Sequence, residues 1–190
     1  MDIDYARLKH HVEETIHGLA SGRLDPIRRP SAQLQVVRGL QGEVQTGKFR
    51  FRTDAAIDAG GFAEHPRPMD YLLGGLASCQ QMWCLRWAAL QGVTLTHLAI
   101  SAESVFSWHG EYLQQIDAGM NALNVVYDVA ADGFTATDAC DMADMVARRC
   151  PVLATLRRAV PIHETLRLPG QPDTVRQWEP GRDSAVPAAV

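Results

Sequence analysis

Along residues 3–20 the apolar positions Ile3, Leu8, Val12, Ile16 and Leu19 recur at steps of three to five. That spacing predicts an amphipathic helix, closed by Gly22 and Pro26. The period then shortens. Residues 33–53 read as strands around a turn near Gln41 and Gly42, with Phe49, Phe51 and Arg52 in the second run. Residues 54–68 hold Gly60, Gly61, Pro66 and Pro68 and read as a loop. Helical spacing returns in MDYLLGGLASCQQMWCLRWAALQG, which begins just after Pro68 and stops at Gly92. Leu72, Leu76, Cys79, Trp83, Trp87 and Leu90 share one stripe, so Cys79 is expected midway along a core helix. Gly74 and Gly75 each cost roughly 1 kcal/mol against alanine inside a helix, which predicts another backbone passing close.

Two further segments, 94–107 and 121–130, alternate apolar and polar residues and read as strands separated by a turn region over 108–119. Thr135 with Asp138 forms the start signal of a second helix, carried by Ala139, Met142, Met145, Val146 and Arg149 up to Cys150 and Pro151. A last strand fits 160–168. Helix, strands, long helix, strands, helix, strand is an α+β order, and with no Gly-rich phosphate loop it opposes a nucleotide-binding βαβ fold. The expected organisation is a helical extension over 1–30, one core domain over 31–170 and a loose, Pro-rich tail over 171–190.

Composition narrows the partners. The 190-residue chain is 46% hydrophobic and 21% charged, ordinary for one globular core, and its net charge of -4 opposes general binding to nucleic acid or anionic lipid. Its apolar runs are too short for a membrane span, and its start, MDIDYARLKHHVEETIH, lacks the basic and apolar blocks of a signal peptide. A cytoplasmic protein is expected, so its four cysteines serve chemistry or packing rather than stapling. His10, Glu14 and His17 share a helical side without a metal-ligand motif, and His163 stands alone, so neither a metal nor another cofactor is expected. Ser78 has no nucleophile elbow around it.

Cys79 and Cys84 are separated by about 140° around one helix, and Cys140 and Cys150 by about 15 Å along another, so neither pair can bridge. Pairs joining the two helices remain, Cys79 with Cys150 foremost among them.

PMDYLLGGLASC resembles the core-helix signature of the OsmC/Ohr family (osmotically inducible protein C and organic hydroperoxide resistance protein). ARRCPVLATL resembles the family's second motif, DGFTATDACDMADMVARRCP the helix before it, and TDAAIDAGGFAEHPRP its Gly-rich approach loop, so the likeness covers about 33–168. The resemblance implies antiparallel sheets wrapped around two long central helices in an intertwined homodimer. It makes Cys79 the peroxidatic thiol and Cys150 the resolving thiol of a peroxidase that reduces organic hydroperoxides and is recycled by a thiol or dithiol reductant. A family arginine, oriented by an acid, stabilises the thiolate. Asp70 stands at the acid's position in place of glutamate, while Arg38, Arg50, Arg52 and Arg67 all remain candidates for the arginine. Nine residues of helix put Asp70 about 13.5 Å from its own Cys79, so its role would be toward the partner subunit's cysteine. Met69, Met82, Met142, Met145, Trp83 and Trp87 are candidates for an apolar entrance, and Cys84 and Cys140 for packing. The competing reading is a binding or scavenging module of the same fold, for small apolar or electrophilic ligands, with little peroxidase activity.

Overall fold

The longest element, helix α2 (Pro68–Gln91), sets the architecture. Pro68 occupies its first turn, where a missing N–H costs nothing, and Gly92 ends it at φ 71°. Strand β4 (Leu95–Val105) runs back along α2 and pairs antiparallel with β5 (Ala122–Ala131). Leu98, Ile100, Leu123, Val125 and Tyr127 line the face of this ribbon that packs on the core. Helices α1 (Tyr5–Ala20), α4 (Ala136–Arg149) and α5 (Pro151–Leu156) pack against α2 on its other sides. The core is therefore Leu76, Cys79, Cys84 and Trp87 of α2, closed by Leu95, Met142, Val146 and Cys150. The computed structural model describes residues 1–158 and 160–178.

Before α2, β1 (Gln33–Arg38), β2 (Gln41–Thr46) and β3 (Phe49–Thr53) form a separate antiparallel sheet. The turn between β1 and β2 lies at Gly39 and Leu40, not at Gln41 and Gly42, because Gly39 supplies the left-handed φ of 50° and Gln41 is buried as the first residue of β2. Tyr71 ties the sheet to α2, its hydroxyl donating to the Arg52 carbonyl at 2.7 Å and its ring meeting Phe51 at 4.5 Å. β1 is otherwise open, with Leu34 58% and Val36 75% exposed.

Three local expectations are corrected. The 108–119 region contains a short helix, α3 (Trp108–Leu113), started by the Ser107 side chain accepting from the His109 N–H at 3.2 Å. Within the expected tail, β7 (Thr174–Trp178) pairs with β6 (Ile162–Leu166), and residues 179–190 lie outside the described residues. Among the described residues no other backbone passes Gly74 or Gly75, where an added Cβ would meet nothing within 4 Å. The N-terminal helix is packed on the core: Tyr5 accepts the Leu95 N–H at 3.1 Å, and Val12 is buried. No helix among the described residues is long and apolar enough to cross a membrane.

Candidate functional site: a buried dithiol where two helices meet

A proline placed directly after a cysteine shapes this site. Pro151 disfavours helical geometry for the residue before it, so α4 stops at Cys150, whose φ of -76° and ψ of 110° are extended. Cys150 then serves both helices: its N–H closes α4 on the Val146 carbonyl at 2.9 Å, and its Sγ accepts the Leu153 N–H of α5 at 3.4 Å. The side chain points into the core, where Cys150 is 0% and Cys79 7% exposed. Across the α2–α4 contact the two Sγ atoms lie 3.1 Å apart, with Cys150 the donor. That is a thiol–thiol hydrogen bond, about 1 Å longer than a disulfide of about 2.05 Å. With a modest approach, an oxidant that takes two electrons while two protons leave would convert this contact into the covalent bond.

Burial raises the Cys150 thiol above its ordinary range; the Leu153 N–H opposes the shift and the neighbouring Cys79 thiol adds to it. Cys84, one turn further along α2 and 0% exposed, is pushed up to about 12 by burial, which suits a packing residue. Tyr127 on β5 is likewise pushed up to about 12 by burial, with Cys84 and Cys150 contributing. Cys140 is exposed on α4 rather than packed, since its position faces away from α2.

Asp70 is not brought to this pair. It sits at the third position of α2, where its carboxylate accepts the Arg67 N–H at 2.9 Å and the guanidinium Nε and Nη2 at 3.0 and 2.9 Å. Those hydrogen bonds, first among the causes, hold Asp70 below the usual carboxylate range. The other candidate arginines also meet carboxylates of their own chain: Arg38 with Glu64 at 2.6 Å, and Arg50 and Arg52 with Glu43 at 3.6 and 3.7 Å.

Beside the Arg67–Asp70 fork lies a cavity of about 510 Å³, bounded by Met69, Leu73, Phe106, Trp108 and Tyr112. Of the expected entrance residues only Met69 lines it; Met142 and Trp87 are core. Asp54 closes the cavity's far side. Burial opposes ionisation of Asp54, yet donors from the Gln41 amide at 3.0 Å and from the Glu64, Ala55 and Phe62 N–H groups at 3.0, 2.8 and 3.2 Å hold its carboxylate far below the usual range.

Several features escaped the sequence reading. The Asp54 fastening joins residues eight to thirteen positions apart, which no periodicity reports. Gln80, next to Cys79, is 1% exposed and its Oε1 has no partner among the described residues. Trp83, one turn beyond Cys79, carries two guanidiniums, Arg86 at 4.7 Å and Arg149 at 5.5 Å from the ring centroid.

A model of the family described as OsmC-like protein matches residues 61–165, which includes α2, both thiols and β6 up to Thr165. No curated protein matches the chain. Among solved structures, an OsmC-like protein from Mycoplasma pneumoniae superposes with a TM-score of 0.59 at 19% identity, covering 68% of this chain and 88% of that one. An organic hydroperoxide resistance protein OsmC from Legionella pneumophila gives 0.53 at 18%, over 70% and 92% of the two chains. An OsmC-like protein of unknown function from Vibrio cholerae gives 0.57 at 12%, over 68% and 94%. At such identities the structures establish a shared fold.

Proposed function

This chain belongs to the OsmC-like protein family, and from that premise we propose that it is a cytoplasmic, thiol-dependent peroxidase acting on organic hydroperoxides. The observation that carries the reading is the 3.1 Å separation of two buried thiols contributed by different helices. The solved relatives described as organic hydroperoxide resistance proteins, from Legionella pneumophila and Elizabethkingia anophelis, point to the substrate class.

The Cys79 thiolate attacks the outer peroxide oxygen of ROOH. The O–O bond breaks, the alkoxide takes a proton to leave as ROH, and Cys79 becomes a sulfenic acid. The Cys150 thiolate then attacks that sulfur, hydroxide leaves as water after protonation, and the Cys79–Cys150 disulfide closes. Two electrons from a thiol or dithiol reductant restore the pair.

The protein works as an intertwined homodimer. Within one chain Arg67 and Asp70 lie at the start of α2, about two and a half turns or more before Cys79, so they act on the thiol of a second copy. The support is geometric: Asp70 holds the guanidinium through two contacts, as an acid that orients an arginine must. The cavity beside the fork offers an apolar wall for the organic group. The exposed Leu34, Val36, Leu72 and Met82 leave apolar surface for the second subunit to cover.

Cumene hydroperoxide added to the reduced protein tests the reading. One equivalent is expected to give a species two hydrogens lighter whose peptides map to Cys79–Cys150, and Cys79→Ser is expected to abolish turnover. Modification confined to Cys84 or Cys140, or equal single-turnover rates in wild type and Cys79→Ser, would overturn it.

A further inference from the structure

Two arginines rest against one indole. Trp83 belongs to α2, one turn beyond Cys79, and its ring is flanked by Arg86 of α2 and Arg149 of α4 at 4.7 and 5.5 Å. The cation–π attraction to Trp83 holds both guanidiniums against their mutual repulsion. Neighbouring Arg148 is paired with Asp144 at 3.7 Å, whereas among the described residues neither Arg86 nor Arg149 meets a carboxylate. Arg149 is solvent-exposed, and the next residue is Cys150. A pair of positive charges is thus gathered on the residue one turn beyond Cys79, one of them next in sequence to Cys150, in a chain whose net charge is -4.

We propose that Arg86 and Arg149, set by Trp83, form an anion subsite that receives the negative group of a small thiol reductant as it opens the Cys79–Cys150 disulfide. The proposal rests on the disulfide of the reading above and names the chemical class of its reductant. Of the two sulfurs, Cys79 retains the exposure, 7% against 0%, so it is the one attacked. The incoming thiolate bonds to the Cys79 Sγ, the S–S bond breaks, and Cys150 leaves as a thiolate that accepts the Leu153 N–H before taking a proton. A second thiolate displaces Cys79 from the mixed disulfide. The balance is two reductant thiols oxidised to one disulfide and two protein thiols regenerated. Four residues of helix place Trp83 about 6 Å along the axis from Cys79, the reach of a thiol with a two-carbon link to its charge. Gly74 and Gly75, the alternative open surface of α2, carry no charge that would select a reductant.

The test uses three thiols of equal reach: 2-mercaptoethanesulfonate, 2-mercaptoethanol and cysteamine, which are anionic, neutral and cationic. The disulfide is made with diamide, so that exchange is measured without peroxide turnover, and each rate is divided by the thiolate fraction. The overall charge of -4 alone would rank the cation first. The subsite reverses that order. One guanidinium at about 6 Å in water favours a unit negative charge by about threefold, and two by about tenfold. The sulfonate is therefore expected to react about three to ten times faster than 2-mercaptoethanol, and cysteamine more slowly. In Arg86→Gln/Arg149→Gln the preference for the sulfonate over 2-mercaptoethanol should vanish, and Arg86→Lys/Arg149→Lys should restore part of it. No sulfonate preference in the wild type, or the same preference in the glutamine variant, overturns the subsite. A protein inert to hydroperoxide that still shows the arginine-dependent order retires the peroxidase reading and keeps the subsite.

Discussion

Closure of the Cys79–Cys150 disulfide is expected to be the pH-controlled step, and pH itself is the perturbation. Cys150 must attack the Cys79 sulfenic acid as a thiolate. Its Sγ is fully buried, and burial drives its titration above the ordinary range, with the N–H groups of Leu153, at 3.4 Å, and Val152 opposing. A cysteine with an ordinary pKa of about 8.5 is about one-tenth thiolate at pH 7.5. Cys150, shifted upward, falls below that fraction, and its thiolate grows about tenfold per pH unit until its raised pKa is passed. The logarithm of the closure rate should thus climb with unit slope from about pH 6.5 through about 8.5 without levelling. Double-mixing stopped flow measures it: one equivalent of cumene hydroperoxide first, then a pH jump, followed by the fluorescence of Trp83 and Trp87 on the same helix. Cys150→Ser should remove the phase and leave a sulfenic acid that dimedone traps. A closure rate that levels at or below about pH 8 would refute the argument, because it would require a Cys150 thiol that burial has not raised.

Cys84 gives a stability prediction whose sign follows from its shift. Its thiol titrates at about 12 in the folded chain against about 8.5 unfolded, so the folded state keeps a proton that the unfolded state releases. Stability is then whole below about pH 8.5 and falls above it by about 1.4 kcal/mol per pH unit. Cys84→Ala should flatten that alkaline loss in urea titrations at about pH 7 and 10, and an equal loss in both proteins would dispose of the idea. The shared site predicts complementation: when Cys79→Ser and Asp70→Ala chains are co-expressed, about half the dimers are mixed and one of their two sites is whole, so about a quarter of wild-type sites should return. Dimers without recovery would leave Asp70 only its role at the start of α2.

What the sequence disclosed and what it withheld divide along the range of the interactions. Pro68, Gly92 and the Thr135–Asp138 box act within a turn of themselves, and α2 and α4 begin and end where those residues say. Cys150–Pro151 is equally local, so the break that turns the thiol inward is legible from two adjacent letters. The α3 helix was missed because its start rests on one serine, Ser107, without an apolar period behind it. The Asp54 fastening depends on Gln41 and Glu64, brought together only after β2 and the following loop have folded. The Arg86–Trp83–Arg149 stack depends on where α2 crosses α4, which neither helix specifies alone.

Gly74 and Gly75 mark the next range outward. Their cost of roughly 1 kcal/mol each in a helix calls for a close backbone, and the described residues of this chain supply none. The proposed dimer would meet that need between copies: the open glycines lie on the same helix as the exposed Leu72 and Met82, and the Arg67–Asp70 fork stands at that helix's start, away from its own thiol. One second α2 packed against this face would account for the glycines, cover the apolar residues and bring a fork to a thiol. Three separate features of one helix would thereby be met by a single partner, which is why the proposed dimer belongs to the reading of the site and not only to that of the fold.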